Sequence, residues 1–93
     1  MRESALTKRI LAELHDQGAK AIKTHGDKYM ENGTADILGC VRGRCFVVEC
    51  KVGKNALSAI QIVRINQWRT AGAAAVVARE DFDTAAFVGS LRR

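Results

Sequence analysis

The sequence predicts a single α/β domain over residues 1–93, a mixed four-stranded sheet flanked by helices in the order α-β-β-β-α-β-α. Three observations lead there. A chain of 93 residues is one domain by size, and 47% hydrophobic residues favour a folded state over disorder. Segments of helical period alternate with short runs of β-branched and small apolar residues. The stretch from Ala35 to Lys51 has the form of a β-hairpin turning at Arg42-Gly43, where glycine supplies positive φ.

Each element has its own signal. Residues 3–17 read as a helix, because Leu6, Ile10 and Leu14 recur every four residues and Gly18 stops the run. Residues 19–24 alternate small or apolar with polar and read as a strand. Thr24 to Gly33 is a polar loop without helical or strand period, long for a domain this size. The hairpin arms are Ala35–Val41 and Arg44–Lys51. Ser58 opens the second helix, 58–71, and Ser58 with Gln61 forms the capping-box pattern Ser-x-x-Gln. Ile62, Ile65, Trp68 and Arg69 follow at helical spacing, with Trp68 read as core or interface. Residues 73–78 read as a buried strand, and Asp81 or Asp83 starts a short last helix carrying Phe87 and Val88. Strand 44–51, helix 58–71 and strand 73–78 make a right-handed parallel crossover, and the remaining pairings are antiparallel.

The hairpin register carries the chemistry. With a two-residue loop, Val41 faces Arg44, Cys40 faces Cys45 and Leu38 faces Val47, so Asp36 falls opposite Glu49. A three-residue loop would send Asp36 to the other face. Glu49 and Lys51 share a face, roughly 7 Å apart along the strand. Side-by-side carboxylates repel unless a cation joins them, an arrangement that suits a divalent metal. Against this stands the plainer reading of Glu49 and Lys51 as a surface ion pair. Glu3 and Glu13 both lie three residues from the apolar stripe of the first helix, and either could reach its buried edge.

The other chemistry-bearing residues say less. Cysteines 40, 45 and 50 are odd in number and do not form a disulfide framework, although Cys40 and Cys45 would be cross-strand neighbours able to oxidise. Zinc is not expected, since the cysteine spacing is wrong and His15 and His25 lie in separate elements; both histidines read as solvated. Net charge is +5, and between Arg42 and Arg79 seven basic residues stand against one acid, Glu49. A basic surface beside carboxylates fits a phosphodiester, or ordinary solubilising charge. There is no unbroken apolar run long enough for a bilayer and no secretory signal, so the chain reads as soluble, intracellular and cytoplasmic.

Asp36, a hairpin, then Glu49-Cys50-Lys51 is the pattern of the PD-(D/E)XK nuclease superfamily. The chain resembles its small stand-alone VRR-NUC domains over nearly its whole length. Met1-Arg2-Glu3-Ser4 matches the start of the family's first helix, followed in order by Gly18 and the strand ending in Lys23. Gly33-Thr34-Ala35-Asp36 matches a Gly-x-Pro-Asp turn, and Phe46-Val47-Val48-Glu49-Cys50-Lys51 the apolar strand with its Glu-x-Lys pair. Leu57-Ser58-Ala59-Ile60-Gln61 matches Leu-Ser-x-x-Gln, and Gly72 a closing glycine. The departure is Ala35 in place of proline, which loosens the turn and removes no chemical group.

The resemblance implies a restriction-endonuclease-like core and a metal-dependent endonuclease hydrolysing DNA phosphodiester bonds. It implies that Asp36, Glu49 and the backbone carbonyl of Cys50 bind Mg2+ or Mn2+, with Glu3 completing the site directly or through water and Glu13 as the fallback. Lys51 would orient the attacking water or stabilise charge on phosphorus. Gln61, Lys23, Lys54 and Arg64 would contact the DNA, with the capping box as a competing role for Gln61; one amide is expected to serve these two roles only at different times. His25, Lys28, Tyr29 and the tail Arg92-Arg93 are further candidates for nucleic acid. Stand-alone domains of this kind resemble Holliday-junction resolvases of DNA repair, which implies a homodimer on branched DNA with no small-molecule cofactor and no membrane. A non-catalytic basic DNA-binding module of phage or mobile-element origin is the alternative, and an interaction protein with a surface Glu49/Lys51 pair is the third reading.

Overall fold

A computed structural model describes residues 1–25 and 30–91. The elements run α1 (Glu3–Asp16), β1 (Lys20–Lys23), β2 (Ile37–Val41), β3 (Arg44–Cys50), α2 (Ala59–Thr70), β4 (Ala74–Ala78) and α3 (Thr84–Ser90). This is the predicted order. The sheet runs β1-β2-β3-β4, antiparallel for its first two pairings and parallel between β3 and β4. The α/β, restriction-endonuclease-like architecture read from the sequence is the one observed. Lys28 and Tyr29, and the tail Arg92-Arg93, lie outside the described residues.

Helix α1 forms because Leu6, Ile10 and Leu14 line one side, and all three are fully buried. It ends where Gly18 takes φ +85°, allowing the Ala19 N–H to close on Leu14 O at 3.0 Å. Together with α3, it covers one face of the sheet over Ile37, Val41, Phe46, Val48 and Cys50. Helix α2 covers the other face, where Ile65 and partly buried Trp68 pack on Ala35, Val47 and Ala75. The sheet is thus the middle of three layers. Alternation along β3 sends residues 46, 48 and 50 toward α1 and leaves Val47 and Glu49 on the α2 side.

The hairpin turn has two residues, Arg42 at φ 50° and Gly43 at φ 80°. Two successive left-handed positions match the twist of the strands they join. The register follows: Val41 opposite Arg44, Cys40 opposite Cys45, Leu38 opposite Val47 and Ile37 opposite Val48. Inside the hairpin, a Cβ on Gly39 would stand 2.6 Å from Lys20 O and 2.7 Å from the Phe46 ring, so the Phe46 side chain fits only because residue 39 has none.

Several expectations are corrected in detail. Cys40 and Cys45 are disulfide-bonded, with Cα atoms 3.9 Å apart, because the register sets them directly across from each other. Only Cys50 is free, and it is buried. Strand β4 is buried at Ala75 and Ala78 and half-buried at Ala74, Val76 and Val77, since it lies at the edge of the sheet. Ile62 points to solvent at 46% exposure despite its helical spacing, because α2 meets the sheet along a stripe in which only Ile65 is fully buried. The last helix is capped by Asp83, whose Oδ1 accepts the Ala86 N–H at 3.0 Å, and not by Asp81.

Candidate active site

The site forms where the β2–β3 ladder runs out. The last paired rung is Ile37–Val48, and one step beyond it Asp36 stands across from Glu49. Asp36 does not continue the strand. Its Oδ2 accepts the backbone N–H of Cys50 at 2.8 Å, so a side chain takes the place of the missing backbone partner. On the other edge, the Thr24 N–H donates to Asp36 O at 2.9 Å and the Thr24 hydroxyl to Ala35 O at 2.7 Å. Ala35, where the turn lacks proline, is buried under α2, and packing supplies the constraint that the ring would have given. Gly33 brings the turn against α2: its φ is +79°, and a Cβ there would stand 3.0 Å from the Ile60 backbone.

Glu49 is the buried member of the acid pair, at 2% exposure. Burial drives its pKa from 4.5 to about 8, with further upward pushes from a hydrogen bond to Asp36, from the Asp36 charge and from Glu3; the Lys51 ammonium pulls the other way. The carboxyl is also touched by Gln61, whose Nε2 lies 3.4 Å from Glu49 Oε2. Gln61 Oε1 accepts the Ser58 N–H at 2.9 Å while its own N–H donates to Ser58 Oγ at 3.3 Å. The expectation that capping and reaching outward exclude each other is therefore corrected. The two ends of one amide do both at once, oxygen to the helix cap and nitrogen to the carboxyl.

Cys50 contributes differently from its neighbours. Its thiol lies on the opposite face, packed under α1, where burial pushes its pKa up to about 11. Only its backbone is available on the side of Glu49. Glu3, in the first turn of α1, is close enough to raise the pKa of Glu49, and its Oε2 lies 3.4 Å from Asn55 Nδ2. Glu13 is turned elsewhere, accepting from the Thr84 hydroxyl at 2.7 Å and pairing with Arg9 at 3.6 Å. Among the described residues, no three His, Cys, Asp or Glu side chains converge on one point. Glu3 thus does not close with Asp36 and Glu49 into a three-carboxylate cluster, since it is directed to Asn55.

The basic residues divide. Lys23, at the end of β1, borders a polar cavity of about 400 Å³ that ends on Asp36. Lys54 is exposed in the turn after β3. Arg64 instead braces the chain before Asp36: Nε donates to Asn32 O at 2.9 Å, Nη1 to Gln67 Oε1 at 3.1 Å, and Glu31 lies at 3.6 Å. His15 is exposed, with Nε2 2.9 Å from Ala21 O, and His25 is exposed. Asn55 was missed in the sequence reading, because a single polar residue in a turn carries no periodic or motif signal.

The chemistry of the pair fits a hard divalent cation. Two carboxylates share one end of a ladder, and burial first, then the neighbouring Asp36, raises the pKa of the inner one. No protein-family model and no curated protein matches the sequence. Among solved structures, a VRR_NUC domain superposes with a TM-score of 0.75 at 19% identity, covering 98% of this chain and 97% of its own. The chain has the VRR_NUC fold. Hjc, a Holliday junction resolvase from the archaeal hyperthermophile Archaeoglobus fulgidus, superposes with a TM-score of 0.63 at 24% identity, covering 85% of this chain and 69% of that one. The likeness to the VRR_NUC domain thus takes in nearly the whole chain, and in this chain the acid pair sits where the β2–β3 ladder ends.

Proposed function

We propose that this protein is a metal-dependent DNA endonuclease acting on branched DNA such as four-way junctions, as a homodimer within the cell. The observation that carries this reading is the Asp36–Glu49 pair at the end of the hairpin ladder with Lys51 beside it, on a fold shared with a VRR_NUC domain and a Holliday junction resolvase. Asp36, Glu49 and the Cys50 carbonyl would hold Mg2+ or Mn2+, with Glu3 acting through water. When bound, the cation supplies Lewis acidity to the phosphate and lowers the pKa of the attacking water.

The chain's own residues prepare that chemistry. The Cys50 N–H fixes the Asp36 carboxylate before any substrate arrives. To serve as a ligand Glu49 would release its proton to solvent, and the Gln61 amide would donate to the resulting carboxylate. Lys51 lies near enough to favour the charged form of Glu49, and its ammonium would orient water or stabilise charge on phosphorus. Lys23 and Lys54 would neutralise backbone phosphates, so binding weakens with salt.

The test is a cleavage panel of single-stranded, duplex, flap and four-way DNA with Mg2+, Mn2+ or EDTA. Lys51→Ala abolishes cleavage and leaves DNA binding largely intact. A Lys51→Ala protein cutting at the wild-type rate with Mg2+ would falsify the assignment. Binding without any metal-dependent product in the wild type would leave a DNA-binding module instead.

A further inference from the structure

Beyond β3, Val52 still packs against the core, and from Gly53 to Ala56 the turn has no apolar anchor. The Lys51 N–H makes the last bond to β4, donating to Ala78 O at 3.0 Å. Gly53, Lys54, Asn55 and Ala56 are all exposed, and the Asn55 N–H closes the turn on Val52 O at 3.1 Å. Such a segment opens easily unless polar contacts hold it.

Here two consecutive residues beyond β4 hold it. Both carboxylate oxygens of Glu80 accept the Gly53 N–H, each at 2.9 Å, and Arg79 Nη1 donates to Gly53 O at 2.9 Å. Both backbone polar groups of Gly53 are thus gripped from one side. The Gly53 N–H also keeps the Glu80 carboxyl below its usual pKa. The grip is itself tied down: Arg9 Nη1 donates to Glu80 O at 3.0 Å, which links it to α1, the helix that begins with Glu3. The turn in turn presents Asn55 to Glu3. Lys51 at one end and the Asn55–Glu3 contact at the other therefore depend on one clamped peptide.

We propose that Arg79 and Glu80 are positioning residues of the nuclease site, acting through Gly53 on Lys51 and on the Asn55–Glu3 contact. This rests on the nuclease reading above and extends it to residues that touch neither metal nor DNA.

The experiment compares Glu80→Ala, Glu80→Gln, Asn55→Ala and the Glu80→Ala/Asn55→Ala pair, on the DNA that the wild type cuts with Mg2+. Glu80→Ala lowers kcat at least about tenfold and leaves KM for DNA within about twofold. Glu80→Gln stays within about threefold of the wild type, because its amide oxygen still accepts the Gly53 N–H. The double variant is hardly worse than the worse single, since both act through one turn. Without metal or DNA, amide hydrogen exchange from Lys51 to Asn55 speeds up in Glu80→Ala and not in Glu80→Gln. Wild-type kcat in Glu80→Ala, additive losses in the double variant, or unchanged exchange overturns the proposal. The exchange readout needs no cleavage. A wild type that cuts nothing would remove the nuclease reading, and exchange would still decide whether the clamp holds the turn.

Discussion

Glu49 is where burial and function pull against each other. In the unfolded chain its carboxyl titrates near 4.5, and in the fold near 8, chiefly because burial penalises the charge. Below the lower value both states hold the proton and the fold bears no penalty. Between the two only the folded chain binds it, so stability falls as pH rises, by up to about 1.4 kcal/mol per pH unit, and the loss is complete above the upper value. The metal-free wild type therefore loses stability from about pH 5 to about pH 8 relative to Glu49→Gln, which keeps the shape and has no proton to lose. Urea unfolding of both proteins across that range checks this, and parallel stability curves would refute it. On the proposed nuclease reading, Mg2+ would oppose the loss, because its binding would release the proton that burial retains, and its affinity would rise over the same range.

At the scale of elements, the capping box of α2 does two jobs, and they can be separated. Gln61→Ala removes the acceptor for the Ser58 N–H together with the contact to Glu49, and costs about 1 kcal/mol of stability, the worth of one hydrogen bond, as well as cleavage. Gln61→Glu keeps the box, since glutamate serves there equally well, but faces Glu49 with a third acid in place of a donor. It retains the melting temperature of the wild type more nearly than Gln61→Ala does, and loses cleavage at least about tenfold. Wild-type cleavage in Gln61→Glu would show that the amide acts only as a cap.

The same helix shows what was legible in the sequence. Ser58 and Gln61 announced the cap, and Arg42-Gly43 announced a turn whose length sets the face of Asp36, because both signals are local. The second contact of Gln61 was hidden because it depends on how close α2 stands to β3. The Gly53 clamp was hidden for a related reason, since Arg79 and Glu80 lie more than twenty residues further on and meet the turn only after β4 has paired with β3. Arg64 read as a candidate DNA contact, and its bracing role was hidden because its acceptor, Asn32 O, is a backbone atom that no side-chain pattern reports.

For the whole molecule, the question is how one small domain could make two cuts. A four-way junction is resolved by incisions in two strands, and each chain carries one acid pair, so the junction reading requires two copies. The fold leaves apolar surface on the side where a second copy could sit. Ile22 is 52% exposed on β1, on the same face as Leu38 and Trp68, and Ile60, Ile62 and Val63 are exposed on α2. A domain of this size buries only about 60–65% of its unfolded surface, so covering these side chains adds stability that the monomer lacks. Equilibrium sedimentation at the concentration used for cleavage then shows a dimer, and Ile22→Asp shifts it toward monomer without unfolding the chain, because the side chain is already half in water. That variant keeps single cuts on flaps or duplex DNA while losing paired cuts on a junction. A wild type that sediments only as monomer would remove paired resolution, and would leave the single acid pair free to act as a nuclease that cuts one strand at a time.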